Sequence, residues 1–338
     1  MRNPIQPRDL ALSAALLITA CQTAPPTYEV AMEGDMVRAD SPFLATHVAG
    51  MLDRTRDQVI SLVPGSTKAP LEVWLQDELQ LYRFRRGSYE HADGFWAEEA
   101  GRIHLRTEAR HLERTLVHEL VHSSLGDAWS VLPGTLEEGV CDWVSTHICP
   151  YSAAQLRAGR LSAACFGLGS LEIEVELRSA CSGSAEEVMG SYASVLLEGG
   201  IDPPTSPKEV FQLEAGRSSS GLSGPRKKAL YGLAFFLVDR IASRESGLEP
   251  LYELCVLAKA QGLPEVPTEW LLEAAGLEGL KACQWKPGLA QAFSGAELAE
   301  LVAMYPDFLG SAIDRLPIPT SGASGREELR FSMRVNPR

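Results

Sequence analysis

Apolar residues recur at two spacings along the chain, and these spacings separate predicted helices from predicted strands. Over positions 43–63 they recur every three or four residues, as on a helix with one buried face, and the repeat stops before Pro64-Gly65. Shorter, more alternating runs predict strands at 28–37 and 71–75, and a hairpin of strands 94–97 and 102–106 joined by a polar turn.

The helical repeat returns after the hairpin and dominates the rest of the chain. Leu112, Leu116, Leu120 and Val121 share one side of a predicted helix over 108–125. Further helices are predicted at 78–84, 136–147, 228–242, 249–260, 268–275 and 295–304, and a last strand at 329–335.

This order of elements predicts an α+β fold, in which a small mixed sheet packs on the helix at 108–125 and a mostly helical C-terminal part follows. We divide the chain into an N-terminal α/β part at 29–125, a mostly helical part at 126–310 and a C-terminal tail at 311–338. Within the helical part, residues 149–224 are rich in Ser, Gly and Pro and contain one strand-like run at 171–177. We interpret residues 149–224 as an insertion tied by disulfides.

The first twenty residues have the pattern of a targeting signal. Arg2 and Arg8 come before a mostly apolar run at 10–20, which is too short to span a bilayer as a helix. The run ends in Ile18-Thr19-Ala20-Cys21, which resembles the lipobox of bacterial lipoproteins. The resemblance implies cleavage after residue 20, acylation of Cys21 and a short tether over 21–28. A plain signal peptide with a chance cysteine is the alternative.

The resemblance to a lipoprotein also implies where the protein resides. The mature chain is expected to be exported and anchored to the cell envelope by its lipid. Gln22 follows the acylated cysteine, which in a Gram-negative host implies the outer membrane.

The net charge indicates which partners are unsuitable, and the cysteine content indicates whether the protein is exported. The 338 residues carry 31 Lys and Arg against 44 Asp and Glu, a net charge of −13, which argues against a nucleic-acid partner. Seven cysteines are present; if Cys21 is acylated, an even number remains, as in a disulfide framework of an exported protein. We expect Cys255 to pair with Cys283, and the remaining four to pair among themselves: Cys141, Cys149, Cys165 and Cys181.

The chemical candidate is the H-E-x-x-H pattern His118-Glu119-Leu120-Val121-His122 on the helix at 108–125. Side chains four apart on a helix point the same way, about 5–6 Å apart, so both imidazoles can reach one Zn²⁺ at about 2.0–2.1 Å. Glu119 follows the first histidine directly and can take a proton from the water that the metal activates. The alternative is a helix with two structural histidines. His111 lies about 10 Å away along the helix, too far to share the metal.

A second acidic pattern follows at 132–143, LPGTLEEGVCDW. With the H-E-x-x-H pattern, it resembles the gluzincin metallopeptidases, in which a later helix supplies a glutamate ligand. The resemblance implies Zn²⁺ bound by His118, His122 and Glu138, with Asp142 hydrogen-bonded to His118. Two other residues of this helix remain open as ligands. Glu137 is the alternative to the adjacent Glu138 as the third ligand. Cys141 is either a thiolate ligand, a packing residue or half of a disulfide.

The resemblance also implies supporting residues. Tyr231, in the predicted helix at 228–242, is similar to the tyrosine that stabilises the oxyanion in several gluzincins; Tyr192 is the rival, and a buried core tyrosine is the alternative. The hairpin at 94–106 matches the place of the edge strand that pairs with extended substrate. The sequence lacks the Gly-x-Met-Glu-Asn motif of the aminopeptidase members, which favours an endopeptidase. We interpret His104 and His147 as structural or surface residues.

Together, these resemblances imply a zincin-like, membrane-anchored zinc metallopeptidase that acts on peptides or proteins. Two alternatives stay open: a catalytically inactive, peptidase-like binding or envelope-structural lipoprotein, and a zinc hydrolase of a non-peptide substrate. The presence of Glu119, which only catalysis requires, favours an enzyme over the inactive alternative.

Overall fold

The structure is a computed structural model that describes residues 26–77, 93–167, 171–179, 192–197, 224–244, 247–285, 289, 292 and 327–335. The predicted anchor Cys21 and the predicted helices at 78–84 and 295–304 lie outside these ranges. The described chain forms two compact units, one from the residues before 62 together with 66–124, the other from 62–65 together with the residues after 124. The second boundary lies one residue from the predicted end of the N-terminal part.

The first unit contains a five-stranded mixed sheet in the order β1-β2-β3-β5-β4. Its strands are β1 (Tyr28–Ala31), β2 (Asp35–Ala39), β3 (Leu71–Gln76), β4 (Gly94–Ala97) and β5 (Arg102–Arg106). The central pairs β2–β3 and β3–β5 are parallel, and the outer pairs β1–β2 and β4–β5 are antiparallel. The predicted hairpin is therefore confirmed, with β4 at an edge of the sheet.

The predicted single strand at 28–37 is two strands in the structure. Gly34 lies between β1 and β2 with a φ of 82°, a conformation that glycine adopts without the steric penalty of a side chain. The chain therefore reverses at this glycine, and the alternating pattern that the sequence shows continues on the antiparallel partner strand.

Two helices complete the first unit: α1 (Pro42–Leu62, with its last residue in the second unit) and α2 (Leu112–Ser124). The apolar side of α2 is buried through Leu116, Leu120 and Val121, and α2 contacts β4 and β5. A Cβ atom at Gly94 would lie 2.8 Å from Thr115 Cγ2, so glycine at the start of β4 allows α2 to approach the edge of the sheet. The predicted packing of this helix on a small mixed sheet is confirmed.

The second unit is mostly helical, as predicted. Its helices are α3 (Gly134–Ile148), α4 (Pro150–Gly167), α5 (Gly224–Arg244), α6 (Glu249–Ala260) and α7 (Thr268–Ala274). Helices α3, α4 and α5 contact one another, and two glycines allow this close packing. A Cβ atom at Gly139 would lie 2.7 Å from the Ala234 carbonyl oxygen, and one at Gly232 would lie 2.4 Å from the Arg160 carbonyl oxygen.

Helix α4 occupies the first part of residues 149–224, which the sequence predicts as an insertion. It begins directly after α3 and packs along α5, with Ala158, Leu161 and Ala164 fully buried. Alanine supplies much of this buried side, so the hydrophobic repeat is weak in the sequence and the helix was missed. The strand-like run at 171–177 is confirmed as part of β6 (Leu171–Ser179), which pairs with β7 (Tyr192–Leu197) and β8 (Glu327–Val335).

The disulfide expectation is also corrected. Cys141, Cys149 and Cys255 are buried and form no disulfide, so the expected Cys255–Cys283 pair is not formed and the first two are not tied to other cysteines. The side chains of Cys165, Cys181 and Cys283 lie outside the described part of the chain. Within the described ranges, no helix combines the length and the apolar character that crossing a membrane requires.

Candidate metal centre

The two histidines of the H-E-x-x-H pattern lie one turn apart on α2, as predicted. Their ring centroids are 5.2 Å apart and the ring planes are inclined at 66°. Both side chains are half-buried, whereas Glu119 is only 7% exposed. Leu116 and Leu120 face the interior of the first unit. The two imidazoles therefore lie near the surface of this unit rather than in its core. Two nitrogen donors are thus arranged within reach of one small cation.

Helix α2 starts four residues later than predicted. Residues 107–111 form turns rather than helix, and the Thr115 hydroxyl donates a hydrogen bond to the His111 carbonyl oxygen at 3.1 Å. His111 therefore precedes the first residue of α2, and we assign it no part in the candidate site.

The predicted third ligand, Glu138, lies on α3 and is half-buried. The Tyr231 hydroxyl of α5 donates a hydrogen bond to Glu138 Oε1 at 3.3 Å. The structure therefore brings together two residues that the sequence assigns to the same site, although 93 positions separate them. Tyr192, the rival tyrosine, lies on β7, and its side chain is outside the described part of the chain.

Asp142 lies one turn after Glu138 on α3, and its side chain is 3% exposed. Arg160 Nε of α4 donates a hydrogen bond to Asp142 Oδ2 at 2.5 Å. The Arg160 guanidinium carbon also lies 5.4 Å from the ring centroid of Tyr231, within the range of a cation–π contact. The hydrogen bond that His118 is expected to donate to Asp142 stays a prediction. Arg160 is a partner of Asp142 that the sequence did not indicate, because helix α4 was not predicted.

The charges around Arg160 affect its ionisation. Burial by itself lowers the pKa of a guanidinium group, but the negative charge of Asp142, the hydrogen bond to it and the nearby Glu138 and Tyr231 outweigh burial and raise the pKa of Arg160. Arg160 is therefore a permanent cation that interacts with Glu138 and Asp142 of α3.

Helix α3 also contains a thiol. Cys141 lies on α3 and is fully buried. Glu138 precedes Cys141 by three residues, so the two candidates for the third ligand lie within one turn of α3. Sequence analysis left Cys141 open as a thiolate, and its position makes it a direct rival of Glu138. Glu137, the other rival, is half-buried on the same helix.

The remaining histidines have structural contacts. His104 on β5 is fully buried, with its Nδ1 2.5 Å from Gln76 Oε1 and its ring stacked on Phe95 at 4.7 Å. His147 is exposed at the end of α3 and its Nδ1 is 2.8 Å from the Trp143 carbonyl oxygen. Both positions agree with the interpretation of these residues as structural or surface histidines.

No family model, curated protein or solved structure matches the chain. Inferences about its function therefore depend on the chemistry and geometry of the residues described above.

Proposed function

We propose that the protein is a zinc-dependent metallopeptidase with a zincin-like fold, an endopeptidase that is exported and anchored to the cell envelope through acylated Cys21. The observation that supports this proposal most directly is the pair His118 and His122, one turn apart on α2 beside the buried carboxyl group of Glu119. Helix α2 contacts the edge strand β4, which is where an extended peptide would need to bind.

The donor atoms suit zinc. Two imidazoles are available on α2, and α3 offers either a carboxylate at Glu138 or a thiolate at Cys141 as the third ligand. Nitrogen, oxygen and sulfur are the donors that Zn²⁺ prefers, and three protein ligands leave one position for water or substrate. When bound, Zn²⁺ would polarise the attacking water and the substrate carbonyl group.

The residues of the chain would supply the remaining chemistry. Glu119 would accept a proton from the attacking water and pass it to the leaving amine. The Tyr231 hydroxyl would donate a hydrogen bond to the oxygen on which negative charge develops, and its contact with Glu138 keeps it next to a candidate ligand. Strand β4 pairs only with β5 among the described strands, so its other side offers backbone groups to an extended peptide.

The position of Cys141 within one turn of Glu138 on α3 favours the inactive alternative. If Cys141 and Glu138 both bound the same ion as the two histidines, four protein ligands would close the coordination shell. Closed tetrahedral sites of this composition are structural rather than catalytic. A protein of this kind would bind zinc and have no peptidase activity.

The test combines metal analysis with hydrolysis of casein and of internally quenched peptides. We expect the purified wild type to contain zinc and to cleave both substrates. Glu119→Gln should keep its zinc and lose activity by about 10²- to 10⁴-fold, because it removes the proton acceptor alone, and His122→Ala should lose its zinc.

The matched control is Glu113→Gln, which makes the same chemical change on the same helix. Glu113 accepts a hydrogen bond from Arg54 at 2.9 Å on the surface of the first unit, so this variant should keep both zinc and activity. A wild type that binds zinc but cleaves neither substrate would support the closed structural site. A wild type without metal affinity would overturn the proposal.

A further inference from the structure

A network of charged and polar side chains connects Glu138 and Asp142 of α3. Glu138 accepts a hydrogen bond from the Tyr231 hydroxyl, and Asp142 accepts one from Arg160 Nε. The guanidinium group of Arg160 lies 5.4 Å from the ring centroid of Tyr231. The network therefore connects α3 to both α4 and α5, and Arg160 interacts with every other member.

The network places two carboxylates one turn apart inside the protein. Asp142 is 3% exposed and Glu138 is half-buried. Removal of carboxylates from water is costly unless a cation compensates their charge, and like charges at this spacing repel each other. Arg160 supplies that cation: its side chain is 24% exposed, and Asp142 and Glu138 both hold its pKa above the usual value, outweighing the effect of its own burial.

A second ion pair on α4 serves as a comparison for the pair of Arg160 with Asp142. Arg157 of α4 pairs with Asp239 of α5 at 2.6 Å, with side-chain exposures of 24% and 10%. Arg157 and Arg160 are therefore similar in exposure and type of partner. Arg160 interacts with the two acids that we propose to be part of the metal site, whereas Arg157 pairs with Asp239 and donates a hydrogen bond to the Ala292 carbonyl oxygen.

We propose that Arg160 is the counter-ion of the acidic half of the metal site, balancing Glu138 and Asp142 when no metal is bound and opposing the charge of the metal when it is. This inference rests on the proposed function. Arg160 is a positioning residue, since it acts through Asp142 and Tyr231. Its hydrogen bond holds Asp142 in place before the metal arrives, and its positive charge opposes that of the metal, at the expense of some metal affinity.

The test compares the full chain with Arg160→Met, Arg160→Lys and Arg157→Met. Thermal unfolding is followed with chelator and with Zn²⁺, and zinc affinity is measured by competition with a chromophoric chelator at low ionic strength. Both methionine variants should lower the melting temperature of the metal-free protein by about 5–10 °C, because each removes the arginine that pairs with a buried carboxylate.

The variants should differ in their response to zinc. Arg160→Met should bind Zn²⁺ at least about tenfold more tightly than the wild type and show a larger zinc-induced rise in melting temperature, because an opposing charge has been removed. Arg157→Met should bind zinc as the wild type does. Arg160→Lys, which keeps the charge, should also remain close to the wild-type affinity.

Other results would distinguish failure of the counter-ion role from failure of the proposed function. A zinc affinity of Arg160→Met equal to or below that of the wild type would overturn the counter-ion role, while zinc binding and Glu119-dependent hydrolysis by the wild type would leave the proposed function intact. If Arg160→Met folds only when Zn²⁺ is present, the role is supported; if it folds in neither condition, the role is refuted. A wild type that binds no zinc overturns the proposed function itself.

Discussion

Gly232→Ala measures how closely the helices behind the candidate site pack against each other. A Cβ atom at this position would lie 2.4 Å from the Ala164 nitrogen and 2.4 Å from the Arg160 carbonyl oxygen, whereas ordinary contact begins at 3.4 Å. The neighbouring atoms belong to the backbone of α4, so no side chain can rotate away. An alanine at position 232 therefore requires α4 and α5 to separate locally by about 1 Å.

The magnitude follows from two opposing contributions to the free energy of unfolding. Alanine in a helix interior is more favourable than glycine by about 1 kcal/mol. Overpacking of a well-packed interior costs about 1–3 kcal/mol, and the upper value applies here because two helices of 18 and 21 residues must move. We therefore expect a net destabilisation of about 2 kcal/mol.

Urea unfolding followed by circular dichroism provides the measurement, with each variant compared with the wild type. Gly50→Ala in α1 is the control, because its Cβ would meet only Arg54 Nη1 at an ordinary 3.6 Å. This control should stabilise the protein by up to about 1 kcal/mol. A Gly232→Ala variant whose midpoint equals or exceeds that of the wild type would refute the close contact between the α4 and α5 backbones.

Two further predictions concern ionisable groups away from the candidate site. Burial raises the pKa of the Cys255 thiol to about 12. Iodoacetamide at pH 8 should therefore leave Cys255 unmodified in the native protein and label it in urea, which mass spectrometry measures. Labelling of Cys255 in the native protein would contradict its burial. Burial alone would raise the pKa of Glu72, but its hydrogen bonds and the charges of Arg102 and Arg38 outweigh burial and lower it. A carboxyl group with a lowered pKa in the folded state stabilises the protein above its unfolded-state pKa, and this contribution is lost as pH falls through the folded-state pKa. Glu72→Gln should therefore lower the free energy of unfolding by about 1–2 kcal/mol at pH 7 and by progressively less below pH 4.5; a difference that does not change with pH would argue against these ion pairs.

Local patterns explain which parts of this fold the sequence could predict. Helix α2 and the β4–β5 hairpin both depend on residues that are close in sequence, and their apolar spacing is regular, so their type and approximate bounds were predicted correctly. The pair β6–β8 joins residues about 150 positions apart, from 171–179 to 327–335. The sequence predicted parts of both strands, but no local pattern identifies their partners.

The missed helix α4 shows why part of the candidate site was also missed. Its buried positions include Ala158 and Ala164, residues too small to produce a strong hydrophobic repeat, although they are the residues that let helices approach closely. Nothing in the sequence distinguishes Arg160 from the other charged residues. Its pairing with Asp142 depends on the packing of α4 against α3 and α5, which a local pattern does not specify.

The packing at Gly139 and Gly232 has a consequence for how the candidate site would operate. Each glycine lies directly after a residue of the site, Glu138 in α3 and Tyr231 in α5, and each brings its helix against the backbone of a neighbour. Side chains carried by helices in backbone contact have little freedom to move relative to one another. The hydrogen bond between Glu138 and Tyr231 is thus supported by the packing of α3, α4 and α5. A pre-organised acid and hydroxyl pair of this kind lowers the cost of ordering a metal site, which is a requirement for both affinity and catalysis.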